Sequence, residues 1–202
     1  MAFASSRVMG TCAVIGQAAG TAAALAIRKG ILPRAMGEHI RELQQMLIKN
    51  DCYLPGILGD DPKDLLRDAQ ISASHYTCDP TVIWNGITRP VGDTPNCWQA
   101  SAASGDWITL STIQPKNIRE VHLYFDSNLS QELMMSLSEE ILAMQERTSP
   151  DTLVKSFRLE FYKVDSLVHT EVCKTKGQRR VVIKLADAVK CDRVKVTIEI
   201  HK

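Results

Sequence analysis

Residues 192–200 read DRVKVTIEI, and their alternation decides the fold of most of the chain. Val194, Val196, Ile198 and Ile200 fall on one side, Lys195, Thr197 and Glu199 on the other. Successive side chains of an extended chain point to opposite faces, so this is a strand with one buried and one wet face. The same period of two recurs in ISASHY (71–76), DWITLST (106–112), REVHLYF (119–125), SFRLEFYKV (156–164) and RRVVIKL (179–185), each bounded by turn residues. In 119–125, Val121, Leu123 and Phe125 share a face, with His122 and Tyr124 opposite. One-sided strands of this kind predict an antiparallel β-sandwich around a single core. SQELMMSLSEEILAMQERT (130–148) has helical character and is expected as an insertion, with Glu139 and Glu140 on its solvated face.

Upstream the pattern changes. DCYLPGILGDDPKD (51–64) is rich in Pro, Gly and Asp and marks a boundary, with 51–63 expected as a linker and 64–202 as the sandwich. ELQQMLIKN (42–50) places Leu43, Met46 and Leu47 at helical spacing. Before it, Val8–Ile27 runs for twenty residues without a charge between Arg7 and Arg28–Lys29. Twenty residues suffice to cross a bilayer, and an N-terminal apolar run also suits a secretion signal. Seven alanines, three glycines, Thr11, Gln17 and Thr21 make the run small rather than greasy, which favours a buried helix of a soluble protein over either alternative, with a cytoplasmic location favoured and export of a longer parent protein left open. Gly30 is the expected C-terminal stop. At the other end, a turn over Met9–Gly10–Thr11 would lead to first-turn amides without intrahelical partners, where negative charge is favoured.

The 202 residues carry a formal net charge of +1, which offers no electrostatic reason for a nucleic-acid or anionic-membrane partner. The densest basic cluster, Lys174, Lys176, Arg179 and Arg180 around Gly177, reads as a solvated hairpin turn. The six cysteines form no CxxC and have no histidine at ligand spacing, so they read as scattered buried thiols rather than a zinc site. Cys78 and Cys97 flank a loop and are the one pair placed to bridge in an oxidising compartment. His39, His75, His122, His169 and His201 occur singly, and no nucleophile–base–acid set is visible.

Two stretches carry family resemblances. SSRVMGTCAVIGQAAGTAAALAIRKGILP followed by HIRELQQMLIKNDCYLPG, about the first 56 residues, resembles the final flavin-contacting segment of bacterial FAD-dependent oxidoreductases. That resemblance implies FAD as cofactor and residues 1–50 as the helical end of an FAD-binding α/β domain. It places Arg7, Met9, Gly10, Thr11, Cys12 and Gly16 at the cofactor, with the amides of Gly10, Thr11 and Cys12 toward the pyrimidine edge of the flavin. The chain has no G-x-G-x-x-G, the unit that lets a backbone approach a pyrophosphate. Met1 therefore reads as an internal methionine of a longer protein whose N-terminal FAD and substrate domain is the missing partner, and the fragment alone is not expected to hold FAD tightly.

DLLRDAQISASHY, TVIWNGITRP, NCWQAS and GDWITLSTIQPKNIREVHLYFDSNL resemble the galactose-binding-like, discoidin-type β-sandwich. The implied fold is mainly β, a galactose-binding-like jelly roll preceded by an α-helical remnant. The implied ligand class is a glycan, at Trp84, Asn85 and Arg89. Asn85 stands where that family often has Asp, which argues against calcium. Trp98 and Trp107 read as core anchors and Trp84 as the exposed aromatic. Three functional readings follow: the C-terminal part of an FAD-dependent oxidoreductase, a glycan- or partner-binding module, or a structural sandwich whose small-residue helix drives self-association.

Overall fold

The period-two segments pair as the alternation requires, but into fewer and longer strands than the turn residues suggest. The computed structural model describes residues 8–90, 92–101, 105–128, 136–145, 149–150 and 152–200. Contacts divide the chain into two compact units, one of Met1–Lys63 with Trp84–Asn96 and the other of Asp64–Ile83 with Cys97–Lys202.

The second unit is an antiparallel sheet of β1 (Gln70–Ala73), β2 (Trp107–Tyr124), β3 (Ser156–Lys163), β4 (Ser166–Lys174) and β5 (Arg180–Ile200), in the order β1-β2-β5-β3-β4. Segments 106–112 and 119–125 are two halves of β2, and 179–185 and 192–200 two halves of β5. Between the pairs Ser111–Arg193 and Lys116–Cys191, β2 advances by five residues while β5 advances by two. Between Ile118–Val189 and Glu120–Lys184 the surplus lies in β5 instead. A straight 18-residue strand would extend about 60 Å, too far to face one core; the irregularities bend it. Ile108 and Ile118 are buried beside Phe157, Leu159, Phe161, Val194, Val196 and Ile198, and Val121, Leu123 and Phe125 pack on the same cluster. Both halves of β2 thus line one core, as a sandwich requires, and the facing expected for 119–125 and 194–198 is the facing found. The side chain of Ile200 lies outside the described residues. Phe125 tilts against Phe157 at 5.3 Å between centroids, a favourable aromatic geometry.

The sheet unit departs from expectation at β4, at the basic turn and at Trp107. β4 was not legible as a strand, and it forms an edge of the sheet. The basic cluster does surround a turn, with Lys176 at φ 53 and Gly177 at φ 74, but it joins no hairpin, because β3 lies between β4 and β5. Trp98 packs on the core and donates Nε1–H to the His75 carbonyl at 2.9 Å. Trp107 does not join that cluster: its neighbour Ile108 points inward, so the indole takes the other face, with Lys195 Nζ 5.4 Å from the ring centroid. Of the 130–148 insertion only 136–145 are described; they hold a short helix, α3 (Glu139–Met144), with Glu139 and Glu140 exposed in its first turn. The remainder of that insertion lies outside the described residues.

The first unit opens with α1 (Met9–Lys29), passes through a 3-10 turn (Pro33–His39) and continues as α2 (Ile40–Lys49). Gly30 ends α1 in the left-handed region at φ 65 and donates its N–H to the Ala26 and Ile27 carbonyls, the αL stop read from sequence. Leu25, Ala26, Met36, Leu43, Leu47 and Cys52 form a small core, with Ala18, Ala22 and Met46 against it. Lys29 and Glu42 pair at 2.8 Å across α1 and α2. Residues 51–63, read as a linker, are instead pinned along α2. Gln45 donates to the Leu58 carbonyl and accepts from the Asp60 N–H, and Lys49 Nζ lies 2.8 Å from Asp61 Oδ2. Segment 84–96, read as sandwich, folds onto 51–63. Gly59 donates to the Gly86 carbonyl at 2.8 Å, and a Cβ on Gly86 (φ 77) would stand 2.7 Å from the Gly59 oxygen.

Candidate functional site

The chemistry suggested by the sequence centres on the start of α1. The helix begins at Met9 directly, with Val8 extended at its N-cap, no side-chain cap and no acidic residue in the first turn. The expected Met9–Gly10–Thr11 turn is therefore the first turn of the helix itself. Cys12 N–H is already bonded to the Val8 carbonyl at 3.0 Å, so the amides left without intrahelical partners are those of Met9, Gly10 and Thr11 rather than Cys12. Together with the positive end of the helix dipole they form a donor set for an anionic or electron-rich atom. Arg7, the remaining residue of the expected set, lies outside the described residues.

Contrary to the expectation of a buried helix, α1 is mostly bare. Val8, Met9, Val14, Ile15 and Ile27 are exposed, and only Leu25 and Ala26 are buried. Its packing on α2 uses one stripe near its C-terminal end, and no described residue covers the rest. A Cβ built on Gly10, Gly16 or Gly20 meets nothing within 4 Å. Thr21 spends its hydroxyl on the Gln17 carbonyl at 2.7 Å. Among the described residues α1 is also the one helix long and apolar enough to cross a membrane by length and composition.

The second set of sequence candidates sits in 84–96. Trp84 ends a 3-10 turn (Pro80–Trp84) and is half-buried, not the exposed aromatic expected. Asn85 accepts from the Ile87 N–H and donates Nδ2–H to the Pro95 carbonyl, both at 2.8 Å. Arg89 reaches Asp51 twice, Nη1 to Oδ1 at 2.8 Å and Nη2 to the backbone oxygen at 2.9 Å. Asp51 itself sits at φ 66, so Arg89 holds a strained corner as well as a charge. These polar groups are engaged in shaping the loop. Beside them, Tyr53, Leu54, Ile57, Leu58, Ile87 and Thr88 line an apolar groove of about 230 Å³. The Arg89–Asp51 pairing joins residues 38 apart in sequence and no local pattern announces it.

Of the six cysteines, Cys52 and Cys191 are buried, Cys12 is exposed, and Cys78, Cys97 and Cys173 are half-buried, so the reading of all as buried thiols holds for two. Among the described residues no cluster of three or more His, Cys, Asp or Glu side chains is placed to hold a metal ion.

Comparison with known proteins gives three results. The family model described as FAD dependent oxidoreductase matches residues 1–47, which includes all of α1 and most of α2. No curated protein matches the chain. Among solved structures, a Streptococcus pneumoniae fucose binding module is similar at 12% identity and a TM-score of 0.48, over 69% of this chain and 87% of that one. The lectin domain of lectinolysin, complexed with Lewis B antigen, is similar at 12% identity and a TM-score of 0.44, over 70% and 89%.

Proposed function

We propose that α1 and α2 are the closing element of an FAD-dependent oxidoreductase, and that the sheet unit is a structural accessory domain of that enzyme. The observation that carries the reading is that the FAD dependent oxidoreductase match ends within α2, while the α1 it contains keeps its donor end and glycine face open. When bound, FAD supplies the hydride- and electron-transfer chemistry. The residues of this chain position it. Gly10 and Thr11 would donate amide hydrogens to its electron-rich edge, with Met9 beside them and Arg7 next in sequence as a further candidate, and Gly16 would permit close approach of a neighbouring backbone. The partner that completes the site is a dinucleotide-binding portion carrying the phosphate-cradling glycines that this chain lacks, in a cytoplasmic protein. Without it, the open helix face favours self-association of the chain.

Glycan recognition has weaker support, since Asn85 and Arg89 are engaged within their loop and Trp84 is half-buried. Reconstitution with a dinucleotide-binding portion of the family, followed by the absorption spectrum of the purified assembly, tests the main reading. A retained flavin band is expected; an assembly that forms but carries no flavin refutes it.

A further inference from the structure

The two half-buried cysteines that flank a loop in the sequence also occupy a particular place in the topology. Cys78 and Cys97 both belong to the sheet unit, and the chain between them leaves that unit after Ile83, contributes 84–96 to the other, and returns at Cys97. The two cysteines therefore bracket the base of an excursion. At that base the Cys78 thiol donates a long hydrogen bond to the Cys97 backbone carbonyl at 3.7 Å. The Cys78 sulfur therefore lies beside the Cys97 main chain. No comparable relation holds for Cys173 and Cys191, which lie on β4 and β5 with β3 between them. Two strand spacings are about 9.6 Å, beyond the reach of a disulfide.

We propose that Cys78 and Cys97 form a reversible disulfide that closes the base of the 84–96 excursion, with a low-molecular-weight disulfide such as oxidised glutathione as the oxidant. Burial, with Asp126 and Cys78 nearby, pushes the Cys97 thiol up, while Arg179 opposes this. Cys78 is therefore the first attacker. Its thiolate displaces one glutathione from the oxidised dimer, giving a mixed disulfide and one glutathione thiol. The Cys97 thiolate then attacks the Cys78 sulfur and expels the second glutathione thiol. The two cysteines lose two electrons and two protons, and glutathione gains both.

The test uses the full chain carrying Cys12→Ser, which removes the exposed thiol most prone to intermolecular exchange. The protein is equilibrated in reduced and oxidised glutathione, alkylated, and mapped by mass spectrometry without reduction. A cross-linked peptide joining Cys78 to Cys97 is expected in the oxidised sample. The bond closes a loop of about twenty residues, which raises the melting temperature of the oxidised over the reduced protein by about 7–13 °C. Cys78→Ser and Cys97→Ser each abolish the cross-link and the shift. Independent alkylation of both thiols in oxidised buffer, or a glutathione adduct that persists on Cys78, overturns the proposal, and the mapping does so without depending on either serine variant folding. A cross-link with no change in melting temperature overturns the closure of the excursion.

Discussion

Gly16 and Gly20 lie in the interior of α1, where glycine costs about 0.8–1.0 kcal/mol relative to alanine because it has more backbone freedom to lose. A helix retains such residues at no gain unless something must approach closely. In this chain a Cβ at either position would meet nothing within 4 Å. Replacing both with alanine should therefore stabilise the helix by about 1.6–2 kcal/mol, and that stabilisation should stay local, since only the stripe near Leu25 is anchored to a core. The assay is amide hydrogen exchange across residues 12–24. Exchange in Gly16→Ala/Gly20→Ala should be about 15- to 30-fold slower than in the parent chain. The same double variant, assembled with a dinucleotide-binding portion, should lose flavin, because two methyl groups then stand where a backbone belongs. Unchanged or faster exchange in the isolated chain would refute the reasoning, by showing that these positions are already packed in solution.

Gly86→Ala places a Cβ 2.7 Å from the Gly59 oxygen at a φ of 77; about 1–2 kcal/mol of backbone strain and about 1 kcal/mol for the lost Gly59–Gly86 bond should appear as faster exchange of the Gly59 amide and earlier proteolysis within 51–63. Cys191 is 2% exposed, and burial pushes its thiol up to about 11, so iodoacetamide at pH 8 should modify exposed Cys12 readily and Cys191 only on unfolding, as peptide mapping would reveal. Asp106 accepts from Ser101 and from the Ser74 hydroxyl, and these bonds hold its carboxyl below the usual aspartate range. The contribution is full above about pH 4 and fades as pH falls through the lowered value, so Asp106→Asn should flatten the acid limb of a denaturation profile, and an unaltered limb would count against it.

The sheet was legible where burial is one-sided. Val194, Val196 and Ile198 alternate with Lys195, Thr197 and Glu199, and that contrast survives in the packed core. It failed in SLVHTEVCK, where Leu167 stands next to Val168 and Val172 next to Cys173. An edge strand has one neighbour and lower burial, so Leu167, Val168 and Val172 remain exposed and no period-two signal is imposed. The bent long strands were hidden for a related reason. Residues at 112–115 and 185–188 look like loops because they leave the ladder pairing, yet the strands run through them. The start of α1 was legible from Gly10, although Met9–Gly10–Thr11, expected as a turn leading into the helix, is the first turn of the helix itself. Its bareness was not: small uncharged residues look alike whether a neighbour covers them or nothing does. Arg89 is legible only as a charge near a turn, because Asp51 is brought to it by the path of the chain.

The two irregularities in β2 and β5 have a consequence for tolerance to change. Each strand carries surplus residues opposite a short stretch of the other, once in each direction, and the partners beyond the second irregularity resume the offset they had before the first. Chain length in those stretches is decoupled from pairing. An insertion at 112–115 or 185–188 can be absorbed where no rung exists, while a single insertion between Ile108 and Leu110 would turn every following side chain of that ladder to the opposite face. The corners of the sandwich are therefore where this sequence has freedom to drift in length, and the straight runs are where it has none.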